Sequence, residues 1–256
     1  MELKFIPIDY DSFDIEGRNY IKITGRDEKG KRVCVVDSCP VYFWAILKEK
    51  IKKEKIKKLV GKIEKIQLDV KGRKTKVEKV EIHEKNFLDK KVKAMKIFAT
   101  NYKDLHDIAD QLGMPEIEKR RGYDLSFITH YIIEKKLLPL TWYQISGEML
   151  NNSHEFGGID MGLNVDFCVK LEKFKEIQKS DKFSPKVLAY DIETDDLKLG
   201  KGEILMISLV SENFKKVITW KQTSSTRPIY VEYVKDEAEL LEKFIEYVKK
   251  ISPDFL

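Results

Sequence analysis

Val187-Leu188-Ala189-Tyr190-Asp191-Ile192-Glu193-Thr194 is an apolar run broken by two carboxylates two positions apart. Side chains on a strand alternate between faces, so Asp191 and Glu193 share one face with Val187 and Ala189, while Leu188, Tyr190 and Ile192 take the other. Apolar residues on both faces predict a strand at the buried centre of a sheet. Two acids projecting together from such a strand cost free energy unless cations neutralise them. A pair of divalent ions does so, and hard oxygen donors suit magnesium or manganese. Asp191 and Glu193 are therefore the candidate metal-binding and catalytic residues. Acids two apart on one strand cannot flank a sugar ring from opposite sides, which argues against glycosidase chemistry.

The runs Glu203-Ile204-Leu205-Met206-Ile207-Ser208-Leu209 and Val217-Ile218-Thr219-Trp220 follow, giving three antiparallel strands at about 187–193, 203–211 and 215–221. A long segment, 222–235, leads to a helix at 237–251 with apolar residues at 240, 241, 244, 245, 248 and 251. Taken together, this block resembles the first exonuclease motif of archaeal family B DNA polymerases. The resemblance implies the first half of a ribonuclease-H-like fold and a 3′–5′ proofreading site. In that site four carboxylates hold two metal ions; one activates the attacking water and the other stabilises the leaving 3′ oxygen. Asp191 would bridge both ions, and Glu193 would bind one and help orient the water. The family's third carboxylate lies in a pattern just after an Ile-x-Pro-Asp segment, here Ile251-Ser252-Pro253-Asp254-Phe255-Leu256, where the sequence stops. Asp254 matches the turn before that pattern. The expectation is a piece of a longer or split polymerase, with negligible exonuclease activity by itself, because two acids cannot hold two magnesium ions tightly.

Upstream, alternating apolar residues at Leu3–Tyr10, a turn at Glu16-Gly17-Arg18-Asn19, and a hairpin of Tyr20–Gly25 with Lys31–Asp37 open the chain. Strands are then expected at about 41–47, 62–70, 75–84, 92–99 and 115–120, with helices at 50–60 and 101–112. This order, strand-helix-strand-strand-helix-strand, is that of a ferredoxin-like sandwich of the RNA-recognition type. A subdomain of this kind belongs to the N-terminal domain of family B polymerases. In archaeal members that domain captures uracil in the template strand. Positions matching the uracil pocket are Tyr10, Val41, Tyr42, the loop Lys91-Val92-Lys93-Ala94, Phe127 and His130. Ala94, the order Pro40-Val41-Tyr42, and His130 depart from the family's valine-like wall, Pro-Tyr pair and arginine.

The expected fold is thus α+β and α/β: an N-terminal domain at 1–146, a connector with one strand at 147–185, and a truncated exonuclease domain at 186–256. Residues 147–162, with Asn151-Asn152-Ser153 and Gly157-Gly158, read as a surface loop, Val165–Leu171 as the strand and Lys173–Ser184 as a charged linker. A helix is expected at Phe127–Lys136, and Leu137–Trp142 closes the first domain. Of 256 residues, 42% are hydrophobic, enough for a core, and 36% are charged, above the usual quarter. Between Lys48 and Lys96 stand 19 Lys and Arg against eight Asp and Glu, a basic surface suited to a polyanion. The expected partners are single-stranded template DNA, a primer 3′ end, the remainder of the polymerase and a sliding clamp reached through regions outside this sequence. The alternative reading is a non-catalytic single-stranded nucleic-acid-binding module or a subunit of a split polymerase. No run of about eighteen apolar residues or signal-peptide layout is present, so a cytoplasmic protein without a membrane partner is expected. Three cysteines (Cys34, Cys39 and Cys168) without a Cys-x-x-Cys pair suit reduced thiols, and four scattered histidines give no zinc cluster. Walker, dinucleotide and nucleophile-elbow motifs are missing.

Overall fold

The structure, a computed structural model, describes residues 1–150, 155–158, 162–177, 183–196, 198, 201–221 and 228–256. They form two compact units, Met1–Lys179 and Ser180–Leu256.

The first unit opens with a meander of β1 (Glu2–Ile15), β2 (Arg18–Asp27) and β3 (Arg32–Asp37). Its first turn is Glu16-Gly17, with φ of 51° and 75°. Positive φ at both central residues gives the turn whose twist matches a hairpin. Along β2 burial alternates strictly, with Ile21 and Ile23 inside and Lys22 and Thr24 half-buried outside. The next elements are β4 (Tyr42–Leu47), α1 (Lys53–Ile63), β5 (Gln67–Val70), β6 (Arg73–Phe87), β7 (Lys90–Ala99), α2 (Leu105–Asp110) and β8 (Ile117–Arg121). The five strands make one sheet in the order β5-β6-β7-β4-β8, with antiparallel neighbours throughout. The β6–β7 turn is Leu88-Asp89, with φ of 48° and 61°. Then α3 (Phe127–Lys135) begins at Ser126, whose hydroxyl accepts the Thr129 N–H at 3.1 Å.

Two further strands, β9 (Tyr143–Leu150) and β10 (Phe167–Glu176), return to the meander and close a barrel in the order β1-β2-β3-β10-β9. Only β3 and β10 run parallel. The barrel interior (Phe5, Ile23, Val33, Ile145, Val169) is continuous with the sheet core of Phe43, Met95, Ile97 and the helix residues Leu59 and Ile108. A polar staple joins barrel to sheet. Asn101 Nδ2 donates to Asp14 at 2.9 Å and to the Gly17 carbonyl at 3.0 Å, and the Tyr102 N–H donates to Asn19 Oδ1 at 2.9 Å.

The sequence reading differs from this unit in three places. Residues 147–150, read as loop, are the second half of β9, and the strand read at 165–171 extends to Glu176. Both strands belong to the barrel of the first unit, not to a connector. Lys91-Val92-Lys93-Ala94, read as a loop, lies within β7, because β6 pairs with it right up to the tight turn. Asn151-Asn152-Ser153 lie outside the described residues.

The second unit carries β11 (Ala189–Thr194), β12 (Ile204–Ser211) and β13 (Phe214–Thr219), which are antiparallel. A short β14 (Val231–Tyr233), in a stretch read as irregular, pairs parallel to β13. The helix α4 (Glu237–Ile251) covers one sheet face. Asp236 caps its start, accepting the Glu239 N–H at 3.0 Å, and Glu239 in turn accepts the N–H of Lys235, the residue before the cap, at 2.7 Å. Leu188, Ile207, Leu209, Ile218 and Leu240 form the core, with Phe244 and Val248 packed on it, while Leu241 and Ile245 are exposed.

Candidate functional site

β11 sits at the end of the four-strand order, hydrogen-bonded among the described residues only to β12 along 189–194, and all six of its residues are exposed. This corrects the expectation of a buried sheet centre. The apolar run is satisfied chiefly by Leu188, fully buried just before the strand, while Tyr190 and Ile192 stay 45% and 41% exposed. The alternation holds: the Tyr190 ring lies 5.5 Å from Phe244 of α4, which puts Asp191 and Glu193 on the opposite face. There Asp191 stands across from Ser208 and Glu193 from Met206. Nearby acids have structural work. Asp195 accepts the Glu203 N–H at 2.8 Å, and Asp254 accepts the Lys186 N–H at 2.8 Å, beside a parallel bridge from Val187 to Phe255.

The donor chemistry of Asp191 and Glu193 suits a hard divalent cation, but no group of three or more His, Cys, Asp or Glu is placed to hold one among the described residues. Two carboxylates fall short of the near-octahedral shell magnesium demands. By itself the pair is not a complete metal centre.

In the first unit, the resemblance-derived residues separate into groups. Tyr42, Phe127 and His130 come together: the Tyr42 and His130 rings are 4.4 Å apart, and Phe127 stacks on His130 at 6.5 Å. His130 Nε2 donates to the Pro40 carbonyl at 2.9 Å, and the Tyr42 hydroxyl donates to Glu134 at 2.6 Å. Burial pushes the Tyr42 phenol up, with Glu134 adding to it. Burial also holds the His130 imidazole below its ordinary value, against the opposing pull of Pro40 and Glu134. Val41 is buried beside this cluster, its carbonyl accepting the Ala99 N–H. Tyr10 is on β1 against the main core, its phenol pushed up to about 12 by burial and then by Tyr143. Ala94 is buried on β7 opposite Ile46, four residues along from Phe98, the partner of Tyr42. Lys91, Val92 and Lys93 line a cavity at that farther end.

The basic run at 48–96 gains a defined face in the sheet, which brings it beside Tyr42, Trp44 and Phe98. Cross-strand partners share a face, so the register places Tyr42, Trp44, Phe98, Lys96, His83, Glu81 and Arg121 on the sheet face opposite the helix-side core of Phe43, Ala45 and Ile97. Basic groups lie over the rings: Lys96 Nζ at 3.7 Å from Tyr42, Lys79 at 4.2 Å from Phe98, and Lys85 at 4.7 Å from Trp44. Arg121 is 5.6 Å from Phe87. Trp44 and Phe87 remain half-buried. The period-2 pattern of 42–46 and 94–98 held the signal, since Tyr42 and Trp44 must share a face.

Comparison with known proteins agrees with this architecture. Residues 118–256 match the family model described as DNA polymerase family B, exonuclease domain. The DNA polymerase of Thermococcus kodakarensis is 27% identical over 253 residues, covering 97% of this chain and 12% of that protein. That of Thermococcus gorgonarius is 25% identical, covering 97% of this chain and 26% of that one. This chain therefore spans about a quarter or less of these relatives. The family B DNA polymerase of the hyperthermophilic archaeon Pyrobaculum calidifontis shares the fold, with a TM-score of 0.72 and 18% identity over 98% of this chain and 29% of its own. With the model matching over more than half of its length, the chain belongs to DNA polymerase family B.

Proposed function

We propose that this chain is the template-handling and first proofreading portion of a family B DNA polymerase, and that its first unit binds single-stranded DNA across the aromatic, basic face of the five-stranded sheet. The observation that carries this reading is the half-buried Trp44 with Lys85 over its ring, beside Lys96 and Lys79, which lie over the buried rings of Tyr42 and Phe98 on the same face. Bases of any identity stack on aromatic rings while ammonium groups track phosphates. The element order β4-α1-β6-β7-α2-β8 with strand order β6-β7-β4-β8 supports a ferredoxin-like subdomain of the RNA-recognition type. Replacing Trp44 by Ala removes a stacking platform and is expected to weaken binding by about 1–3 kcal/mol. Fluorescence anisotropy with a labelled oligodeoxynucleotide measures it; unchanged affinity contradicts the reading.

Uracil sensing is the narrower proposal, centred on Tyr42, Phe127 and His130 with Val41 as a wall. Its support is the convergence of those three rings. A uracil-containing strand binding no tighter than its thymine counterpart would contradict it.

In the second unit, Asp191 and Glu193 are proposed as two of the carboxylates of a magnesium- or manganese-dependent exonuclease centre, completed by further polymerase sequence. Three antiparallel strands, a helix packed on them and the parallel bridge of Phe255 beside Val187 support a ribonuclease-H-like beginning. DNA and the rest of a polymerase, with a sliding clamp beyond it, are the proposed partners. A cytoplasmic location is proposed with them; no described helix is long and apolar enough to cross a membrane.

A further inference from the structure

β4 ends at Leu47, and its pairing with β7 extends only as far as Ala94, opposite Ile46. β7 nevertheless continues to Lys90, paired there with β6 alone. Along residues 90–93 the β4-facing edge of β7 therefore has no strand partner among the described residues. The space that β4 leaves as it turns toward α1 is a cavity of about 450 Å³, within the size range of small-molecule sites.

Its chemistry is lopsided. Lys48, Lys50, Lys90, Lys91, Lys93 and Lys119 line it, against Glu49 and Glu118. Among the described residues, none of the six ammonium groups is paired with a carboxylate. Cations gathered around one cavity repel each other, and a bound anion relieves that repulsion. The remaining wall is apolar, with Ile51, Ile56 and Val92 inside and Phe87 and Leu88 at the hairpin turn. Leu88 is 75% exposed and held at a φ of 48°, so a left-handed turn presents a bare leucine at this site.

We propose that this cavity binds nucleotide phosphates. Its lysines and the unpaired β7 edge hold the phosphate oxygens, and Phe87 and Leu88 cover the attached sugar and base. The proposal does not rest on the stacking role of Trp44. One chemistry has two sources here, a free nucleoside triphosphate or the phosphodiester backbone of a single strand, and the arms of the test distinguish them. The whole chain is titrated with N-methylanthraniloyl-ATP, with inorganic tripolyphosphate as competitor, and separately with a labelled oligodeoxynucleotide over a salt series. Wild type is compared with Lys91→Glu/Lys93→Glu and with Lys90→Glu, each checked for folding by circular dichroism.

Charge reversal is expected to weaken the bound source about tenfold or more. If the source is the strand, the double variant also flattens the salt slope by about two, one for each phosphate contact removed. Tripolyphosphate-sensitive triphosphate binding assigns the free nucleotide, and loss confined to the oligonucleotide assigns the strand. Wild-type protein that binds neither probe, or folded variants that bind both like wild type, overturn the proposal. Loss of strand binding in Trp44→Ala with no change on lysine reversal overturns this site alone and leaves the sheet-face reading standing.

Discussion

At His130, burial and hydrogen bonding pull in opposite directions. Desolvation lowers the imidazole from its ordinary 6.5, the Pro40 carbonyl and Glu134 raise it, Lys96 lowers it, and burial wins. The folded chain therefore binds less proton than the unfolded chain just below pH 6.5. The stability held by the neutral ring is present above that value and is lost as pH falls through the lower folded value. The thermal midpoint of wild type is expected to fall more between pH 7 and pH 5 than that of His130→Gln, by differential scanning calorimetry; parallel slopes would contradict this assignment. A family pattern names Tyr42, Phe127 and His130 together, and their rings do meet. Lys91–Lys93 were named in the same pattern yet sit elsewhere. A linear motif carries no register, and it is the pairing of Ala94 with Ile46 that moves them down the sheet.

The hairpins at the scale of single elements were readable where glycine or an acid marks a turn, as at Glu16-Gly17 and at Asp27, whose carboxylate accepts the Lys29 and Lys31 N–H groups. The helix at Glu237–Ile251 was readable from its 3.6-residue period. β9 was not, because Gly147 beside the Asn- and Gly-containing residues that follow looks like loop. In the barrel that glycine is required by closeness: a Cβ there would stand 2.1 Å from the Lys170 carbonyl oxygen. Gly147→Ala must push β10 from β9 and is expected to cost about 1–3 kcal/mol, as overpacked sites do. An unchanged unfolding midpoint in urea would show that the barrel absorbs the methyl. β11 was misplaced for another reason. Its composition suits a sheet centre, but composition does not reveal how many neighbours pair with a strand, and among the described residues only β12 pairs with it along 189–194.

For the whole molecule, the sequence indicated two parts with different chemistry, and the two units bear different assets: rings and lysines in the first, a carboxylate pair in the second. Closure of the barrel by β9 and β10 was not foreseeable, since strands more than a hundred residues beyond β3 complete it. With two carboxylates in place of a full ligand set, this chain is expected to show no magnesium-dependent digestion of a 3′-ended single strand. Digestion abolished by Asp191→Ala would contradict that. The most direct measurement of DNA handling is a two-dimensional NMR titration of the isotope-labelled chain with a short single-stranded oligodeoxynucleotide. The expected result is that shifts concentrate at Trp44, Lys85, Phe87 and Lys96 and vanish at high salt, while Asp191 and Glu193 stay still. Shifts confined to the second unit, or none at any salt, would contradict binding across the sheet face.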